Sequence, residues 1–436
     1  MTRVAVIGSG MAGYGAWHRL TAEGIEPVVY DKNSYPGGHT ASFATPEGFV
    51  FDDGPHISFT RDERLQELFA ANVGGEYEVL QARVNNHWQG HWIKHPAQCN
   101  LHGLPEELVV RVLTDFVAAG ERRPEEATDY EAWLRATYGD AFAETFPMEY
   151  GRKYHTVEAA RMTTDWLGPR LYRPDLEEVL RGALSPQTGD VHYVSHFRYP
   201  SRGGFRAYLS PFFAGADLRL DSEVVAIDPR RRELRLAGGA TEPYDALVSS
   251  IPLPALVPLV EGAPESVVEA ASRLACTTCV LVNLGVARED LSEHHWTYFY
   301  DRDYTVTRAS FPHLFSPHNV PAGAGSIQAE VYFSSKYRPL KQRPDELIEP
   351  VVADLLRCGL LREDDEILVR QASRVPWANV IFDHDRAPAL AEVRGFLDEV
   401  GIAPCGRYGE WGYHWTDESF ASGERAAERA LDRLGR

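Results

Sequence analysis

Three glycines near the amino terminus have the spacing that lets backbone amides approach a phosphate group. They follow a short β-branched run, residues 3–7, and open a helix-compatible stretch that continues to residue 23. Gly8 permits a tight turn, Gly10 gives a pyrophosphate access to the helix amino terminus, and Gly13 allows close packing of helix on strand. The order of strand, glycine turn and helix predicts a dinucleotide-binding unit.

An acidic residue and a second glycine pair narrow the choice of dinucleotide. Asp31 ends the next strand, about 20 residues after the first glycine, where a carboxylate accepts hydrogen bonds from ribose hydroxyls. Up to this point NAD and FAD fit equally well. Gly37 and Gly38 follow and would bring backbone close to the cofactor again, which a plain NAD dehydrogenase does not need. The combination favours FAD.

Five further segments, spread over the chain, carry short motifs. They are Phe51 to His56 (D-x-G-P-H), Gly90 to Leu101, Asp129 to Arg170, Tyr199 to Gly204 (Y-P-x-x-G-G) and Gly406 to Asp417. With the glycine fingerprint, the acid and the glycine pair, their order resembles that of the FAD-dependent amine oxidase and protoporphyrinogen oxidase superfamily. Within it, the chain is most similar to the UDP-galactopyranose mutase branch. The matches cover nearly the whole chain.

The resemblance implies an α/β fold with a Rossmann-like FAD-binding domain built from discontinuous segments. An inserted α+β substrate domain, with a helical part and an antiparallel sheet, completes it. Composition agrees, because residues 105–170 are rich in helix formers and residues 281–333 in aromatic and β-branched side chains. We expect an FAD-binding domain over 1–75, 196–255 and 376–436, a mainly helical substrate or cap region over 76–195, and a substrate-domain sheet over 256–375.

The same resemblance implies the cofactor contacts. No motif for covalent flavin attachment is recognisable, so we expect noncovalent FAD, and no second glycine fingerprint indicates an NADPH site. The expected FAD-binding residues are Gly8, Gly10, Met11, Ala12, Gly13, Asp31, Lys32, Gly38, His39, Thr40, Gly54, Pro55, His56, Val225, Gly406, Arg407 and Asp417.

Three residues are candidates for catalysis: His56, Arg308 and Tyr413. His56 follows a Gly-Pro turn, where it either donates to the flavin N5 or to substrate, or merely satisfies backbone carbonyls. Arg308 resembles the arginine that clamps the diphosphate of a nucleotide sugar, and its alternative role is a cross-strand salt bridge. The expected substrate-binding residues are Tyr154, Arg170, Arg308, Trp377, Trp411 and Tyr413.

Three functions remain open. The first is an FAD-dependent oxidoreductase that takes a hydride from a small polar substrate, including sugar- or nucleotide-linked ones. The second is a redox-neutral isomerase like the mutase, which uses the reduced flavin N5 on a nucleotide sugar. Tyr154, where the mutase carries a tryptophan, and the oxidase-like Tyr199 to Gly204 turn oppose it. The third is a flavin-binding protein without catalysis.

The amino-acid composition limits the kinds of partner that the protein can bind. The 436 residues include 44 Lys and Arg against 63 Asp and Glu, a formal net charge of −19, which disfavours nucleic acid and anionic membranes. No stretch reaches the length of a membrane span, no secretory signal opens the chain, and the five cysteines are sparse, so we expect a cytoplasmic protein. Neither Cys276 with Cys279 nor the histidines spaced by four, His87, His91 and His95, predict a metal site. The oligomeric state is not predicted.

Overall fold

The computed structural model describes residues 2–168, 171–189 and 194–435. Within these ranges the strands are β1 (Val4–Ile7), β2 (Val28–Tyr30), β3 (Ser42–Ala44), β4 (Val50–Asp52), β5 (Tyr77–Gln81), β6 (Val84–Trp88), β7 (His91–Lys94), β8 (His196–Pro200), β9 (Asp217–Arg219), β10 (Val224–Asp228), β11 (Glu233–Leu236), β12 (Thr241–Pro243), β13 (Ala246–Ser249), β14 (Thr277–Val286), β15 (Trp296–Phe299), β16 (Arg308–Ser310), β17 (Gly325–Ser334), β18 (Ile367–Val375) and β19 (Ile402–Pro404).

The α-helices are α1 (Met11–Ala22), α2 (Glu63–Asn72), α3 (Glu106–Ala119), α4 (Tyr130–Tyr138), α5 (Asp140–Thr145), α6 (Pro147–Tyr154), α7 (Leu176–Leu184), α8 (Ser210–Gly215), α9 (Leu253–Leu256), α10 (Glu265–Arg273), α11 (Ile348–Arg357), α12 (Arg386–Glu399), α13 (Gly406–Gly409) and α14 (Thr416–Arg433). Within the described ranges, no helix is both long enough and apolar enough to span a bilayer.

A five-stranded parallel sheet, in the order β19-β13-β1-β2-β9, forms one half of the molecule. Its strands come from widely separated segments, which confirms the expected Rossmann-like domain of discontinuous composition. Val6 at its centre pairs with Val248 on one side and Val29 on the other, and all four residues of β1 are buried, as a strand covered on both faces requires. The domain boundaries themselves stay a prediction.

A seven-stranded sheet, in the order β18-β14-β17-β16-β15-β6-β7, forms the other half. It is antiparallel except for the β15 and β6 pair, and it contains the strands predicted over residues 281–333. β6 and β7 form the hairpin expected around Gln89 and Gly90. The histidines spaced by four therefore lie on and beside a hairpin and do not share a helix face.

Helices α3 to α6 occupy the stretch predicted to be helical and pack into the hydrophobic core that joins the two halves. α6 is the helix of this group that reaches the sheet interface. Its Tyr150 ring lies 5.3 Å from the ring of Tyr298 on β15. The carboxyl ends of the parallel strands thus face one surface of the larger sheet, with α6 along the side.

Candidate functional site

A cleft of about 1110 Å³ separates the parallel sheet from the larger sheet. One wall is the carboxyl edge of β1, β2 and β13, the place where open α/β sheets bind their ligands. The opposite wall is made by side chains of β14 to β18. Its size suits a dinucleotide together with a substrate.

The glycine turn after β1 forms the narrow end of the cleft. Gly8 has φ +100°, a conformation that favours glycine. A Cβ on Gly13 would lie 2.0 Å from the Gly8 carbonyl oxygen, so Gly13 acts by letting α1 pack closely, as predicted. A Cβ on Gly10 would lie 3.5 Å from the Gly37 oxygen, so the two glycine motifs pack against each other. The amino terminus of α1 is left open to an anion.

Asp31 closes this end at the tip of β2. Its carboxylate accepts hydrogen bonds from Ser9 N at 2.8 Å, Ser9 Oγ at 2.6 Å and Asn33 N at 2.9 Å. The side chain is buried yet lines the cleft. The glycine turn itself therefore holds Asp31 in place. This is the position where the fingerprint requires a carboxylate that accepts hydrogen bonds from the ribose hydroxyls.

The turn through Gly54, Pro55 and His56 lies further along the cleft. His56 Nδ1 donates to the Gly54 carbonyl oxygen at 2.8 Å, because a carbonyl only accepts. Nε2 is then the unprotonated nitrogen of the ring. Desolvation lowers the pKa of His56 to about 4, so the imidazole is neutral at pH 7. His39 lies nearby, with Nδ1 3.6 Å from an Asp53 oxygen.

The buried carboxylate of Asp52 lies just before this turn in the chain. Asp52 accepts hydrogen bonds from Ser42 Oγ at 2.5 Å, Tyr199 OH at 2.7 Å and Phe205 N at 3.0 Å. Desolvation raises its pKa to about 6. A Cβ on Gly204 would lie 2.8 Å from the Asp52 Oδ1 atom. The Y-P-x-x-G-G turn therefore serves to place the tyrosine hydroxyl and one backbone amide on Asp52.

The substrate wall carries a buried ion pair. Arg308 on β16 lies directly opposite Glu330 on β17. The Nε and Nη2 atoms of Arg308 both donate to the Glu330 carboxylate, the Nη2 bond being 2.8 Å long. Tyr332 OH donates to the same carboxylate at 3.1 Å. The cross-strand salt bridge that was the alternative for Arg308 is present, and the pair also lines the cleft.

Tyrosine hydroxyls and a second arginine surround this pair. Tyr154 OH lies 3.2 Å from Tyr413 OH, and the Arg407 guanidinium carbon lies 5.1 Å from the centre of the Tyr413 ring. Arg407 Nε donates to the His414 carbonyl oxygen at 2.7 Å, which holds the guanidinium at the cleft. Desolvation keeps the pKa of Tyr154 well above its usual value, so its hydroxyl remains a proton donor.

Most predicted site residues meet in this one cleft. Those that line it are Gly8, Gly10, Met11, Ala12, Asp31, Lys32, Gly38, His39, Thr40, Gly54, Pro55, His56, Tyr154, Val225, Arg308, Trp377, Gly406, Arg407 and Tyr413. Arg170 lies outside the described residues.

Two predicted site residues do not line the cleft. Trp411 does not line the cleft, because its side chain is fully buried in the core and packs edge-on against Trp377, with ring centres 6.1 Å apart. Asp417 lies in the first turn of α14, where a carboxylate stabilises the helix amino terminus, and it is not among the cleft-lining residues.

Sequence reasoning missed Glu330 and Asp52, both of which line the cleft. The signal for Glu330 was a charged residue inside β17, a strand whose ten residues are all buried. Charged side chains are almost never fully buried without a partner. For Asp52 the signal was its place beside the Gly-Pro-His turn.

Comparisons with known proteins agree with this architecture. A family model for an NAD(P)-binding Rossmann-like domain matches residues 6–71. The structure of a reduced UDP-galactopyranose mutase superposes with a TM-score of 0.93 at 26% identity, covering 99% of this chain and 96% of that one. A structure assigned as a protoporphyrinogen oxidase from Exiguobacterium sp. 255-15 has the same fold, with a TM-score of 0.77 at 18% identity over 100% of this chain and 99% of that one.

Curated relatives include an oxygenase and a desaturase. The 4,4'-diapolycopene oxygenase of Methylomonas sp is 26% identical over 352 residues, 73% of this chain and 69% of that protein. The neurosporene-forming phytoene desaturase of Rhodobacter capsulatus is 44% identical over 70 residues, which are 16% of this chain and 13% of that protein.

The residues that line the cleft are suited to hold FAD. The glycine cradle accepts a pyrophosphate, Asp31 is in place for a ribose, and the volume leaves room for a flavin beside the turn that carries His56. In its fold and in these comparisons the chain is similar to the superfamily of FAD-dependent amine oxidases and desaturases.

Proposed function

We propose that the protein is a flavin-dependent isomerase that rearranges the sugar ring of a nucleotide-linked sugar without net oxidation. The observation that carries the proposal is the similarity to reduced UDP-galactopyranose mutase over 99% of the chain at a TM-score of 0.93. That similarity includes both the parallel sheet and the substrate wall. This ranks the redox-neutral reaction above the hydride transfer that the sequence favoured.

The chemistry of the substrate wall supports an anionic, hydroxyl-rich substrate. Arg407 brings a cation into the cleft, which disfavours a protonated amine by charge repulsion, whereas the charge of Arg308 is balanced by Glu330. An extended apolar substrate would remove water from these guanidinium and hydroxyl groups and offer them no hydrogen bonds in return, which is costly for polar groups. A diphosphate and sugar hydroxyls would instead bind to these donors, and guanidinium groups suit phosphate oxygens.

The residues of this chain have separate tasks in such a reaction. Reduced flavin, when bound, supplies a nucleophilic nitrogen for the anomeric carbon of the sugar. Arg407 and Arg308 hold the diphosphate as its bond to the sugar weakens, and Glu330 keeps the Arg308 guanidinium in place. Tyr154 and Tyr413 donate hydrogen bonds because desolvation keeps the Tyr154 hydroxyl protonated. His56 Nε2, which is unprotonated, accepts a hydrogen bond from cofactor or substrate.

The second candidate is the FAD-dependent oxidoreductase that removes a hydride from a polar substrate. The 26% identity to the diapolycopene oxygenase over 352 residues favours it, and so does the Tyr199 to Gly204 turn, which contacts Asp52 through Tyr199 OH. Both candidates use the same cleft and the same cofactor. They differ in whether the flavin changes its redox state during turnover.

Turnover in two redox states separates the candidates. Protein with dithionite-reduced flavin and protein with oxidised flavin are each incubated with UDP-galactopyranose under anaerobic conditions, with free reduced FAD as the control. The isomerase should form a product of unchanged mass with reduced flavin only, while the flavin spectrum stays reduced. Product that forms with oxidised flavin, two hydrogens lighter and with bleaching of the flavin, would replace the isomerase by the oxidoreductase.

A further inference from the structure

A buried lysine outside the cleft ties together the two elements that carry the substrate residues. Lys153 lies on α6, and its side chain is only 6% exposed. Its Nζ atom donates to three backbone carbonyl oxygens of the β15 to β16 hairpin: Phe299 at 3.1 Å, Asp301 at 2.9 Å and Val306 at 2.6 Å. One ammonium group thus uses all its hydrogens on one irregular loop.

The opposite side of the same loop is held by a second charged side chain. Asp354 on α11 accepts hydrogen bonds from the amides of Thr305 and Val306. Side chains from two helices therefore bond to backbone groups in the middle of the loop. At its ends the loop bonds to strands instead, through Tyr300 N to the His87 oxygen and Thr307 N to the Glu330 oxygen. We call residues 300–307, together with Lys153 and Asp354, the hairpin clamp.

The hairpin clamp lies next to the substrate wall. α6 carries Tyr154 one residue after Lys153, and Tyr154 reaches Tyr413 in the cleft. The hairpin carries Arg308 immediately after the loop, and Arg308 pairs in register with Tyr298. The hydrogen bonds of Lys153 therefore fix the position of α6, which carries Tyr154, relative to the hairpin, which carries Arg308.

We propose that Lys153 is a positioning residue, whose ammonium group fixes Tyr154 relative to Arg308 and whose protonation makes binding of the nucleotide sugar depend on pH. The substrate part of this proposal rests on the proposed function. The positioning part rests on the hairpin clamp alone. Arginine at the same position would keep the charge, whereas methionine would keep the length and lose every donor.

The direction of the pH effect follows from the donors. A neutral amine has two hydrogens for three carbonyl groups, so loss of the proton leaves one carbonyl unpaired. Desolvation lowers the pKa of Lys153 to about 7, and binding should therefore weaken as the pH rises above 7. The charged groups that face Lys153 are Asp301 and Asp303 on the hairpin, Asp354 on α11 and Arg338 after β17, and His87 on β6 is bonded to Asp301.

Two measurements on the FAD-loaded protein test the proposal. The first is hydrogen exchange of peptides covering residues 299–308, which reports opening of the loop. Lys153→Met should speed this exchange, and Lys153→Arg should restore it at least in part. Arg181→Met, a change at an exposed residue of α7 that is paired with Glu177, serves as the control and should leave exchange unchanged.

The second measurement is the affinity for uridine diphosphate between about pH 6 and 9. The wild type should lose affinity above pH 7, Lys153→Arg should show no such loss, and Lys153→Met should bind about tenfold more weakly at pH 6. Unchanged exchange in Lys153→Met, or a wild-type pH profile in Lys153→Arg, would overturn the proposal. If the wild type binds no uridine diphosphate but Lys153→Met speeds exchange, the proposed function fails and the positioning role stands.

Discussion

Replacing Arg308 alone, and then together with Glu330, separates its structural role from its contact with substrate. The Glu330 side chain is 4% exposed, and the Arg308 side chain is 22% exposed. Arg308→Met leaves the buried carboxylate without its guanidinium partner. Breaking a buried ion pair from one side costs about 3 to 5 kcal/mol, so the free energy of unfolding should fall by about that amount.

The double variant, Arg308→Met with Glu330→Gln, removes both charges. The glutamine oxygen can still accept the Tyr332 hydroxyl, which donates to Glu330 at 3.1 Å. Its loss of stability should therefore be about 1 kcal/mol. Arg343→Met is the control, because Arg343 forms an exposed pair with Glu346, and such pairs contribute little.

Urea denaturation and titration with uridine diphosphate are the two assays for this series. Neither the single nor the double variant should bind uridine diphosphate, although only the single variant is strongly destabilised. Wild-type affinity in the double variant would refute the contact between Arg308 and the diphosphate. Equal destabilisation of the two variants would refute the reasoning on the buried pair.

Three further predictions concern the cofactor side. Because desolvation raises the pKa of Asp52 to about 6, its contribution to stability is fully present at about pH 3 and is lost by about 3 kcal/mol as the pH rises to 7. The difference in unfolding free energy between wild type and Asp52→Asn should shift by that amount in urea titrations, and a constant difference would contradict it. Gly13→Ala places a Cβ 2.0 Å from the Gly8 oxygen and should abolish visible flavin absorbance, whereas Gly395→Ala, in a helix with open space around it, should retain it. With a pKa of about 4, the His56 imidazole should show no NMR titration between about pH 5.5 and 8, and a midpoint near 6.5 would exclude the neutral buried ring.

The cofactor end could be predicted because its determinants are local. Gly8, Gly10, Gly13 and Asp31 lie within one strand-helix-strand unit, and each has a steric or hydrogen-bonding reason for its residue type. The same holds for the helical composition of residues 105–154 and for the two long strands β14 and β17. Periodicity and composition carry this information without knowledge of the tertiary contacts.

The substrate wall could be predicted only in part, because its contacts join distant segments. Arg308 and Glu330 meet through strand register, and Lys153 meets the hairpin loop through the packing of α6. No local spacing encodes such pairs. Trp411 faces the core and not the cleft for a related reason, since the direction in which an indole ring packs is set by its tertiary neighbours.

A crystal structure of the reduced protein with FAD and uridine diphosphate tests the central claim most directly. We predict the FAD pyrophosphate at the Gly8 to Gly10 turn and the nucleotide diphosphate within hydrogen-bonding distance of Arg308 and Tyr413, in one continuous cleft. A diphosphate bound elsewhere on the molecule, or a cleft in which FAD occupies the substrate wall, would contradict the account.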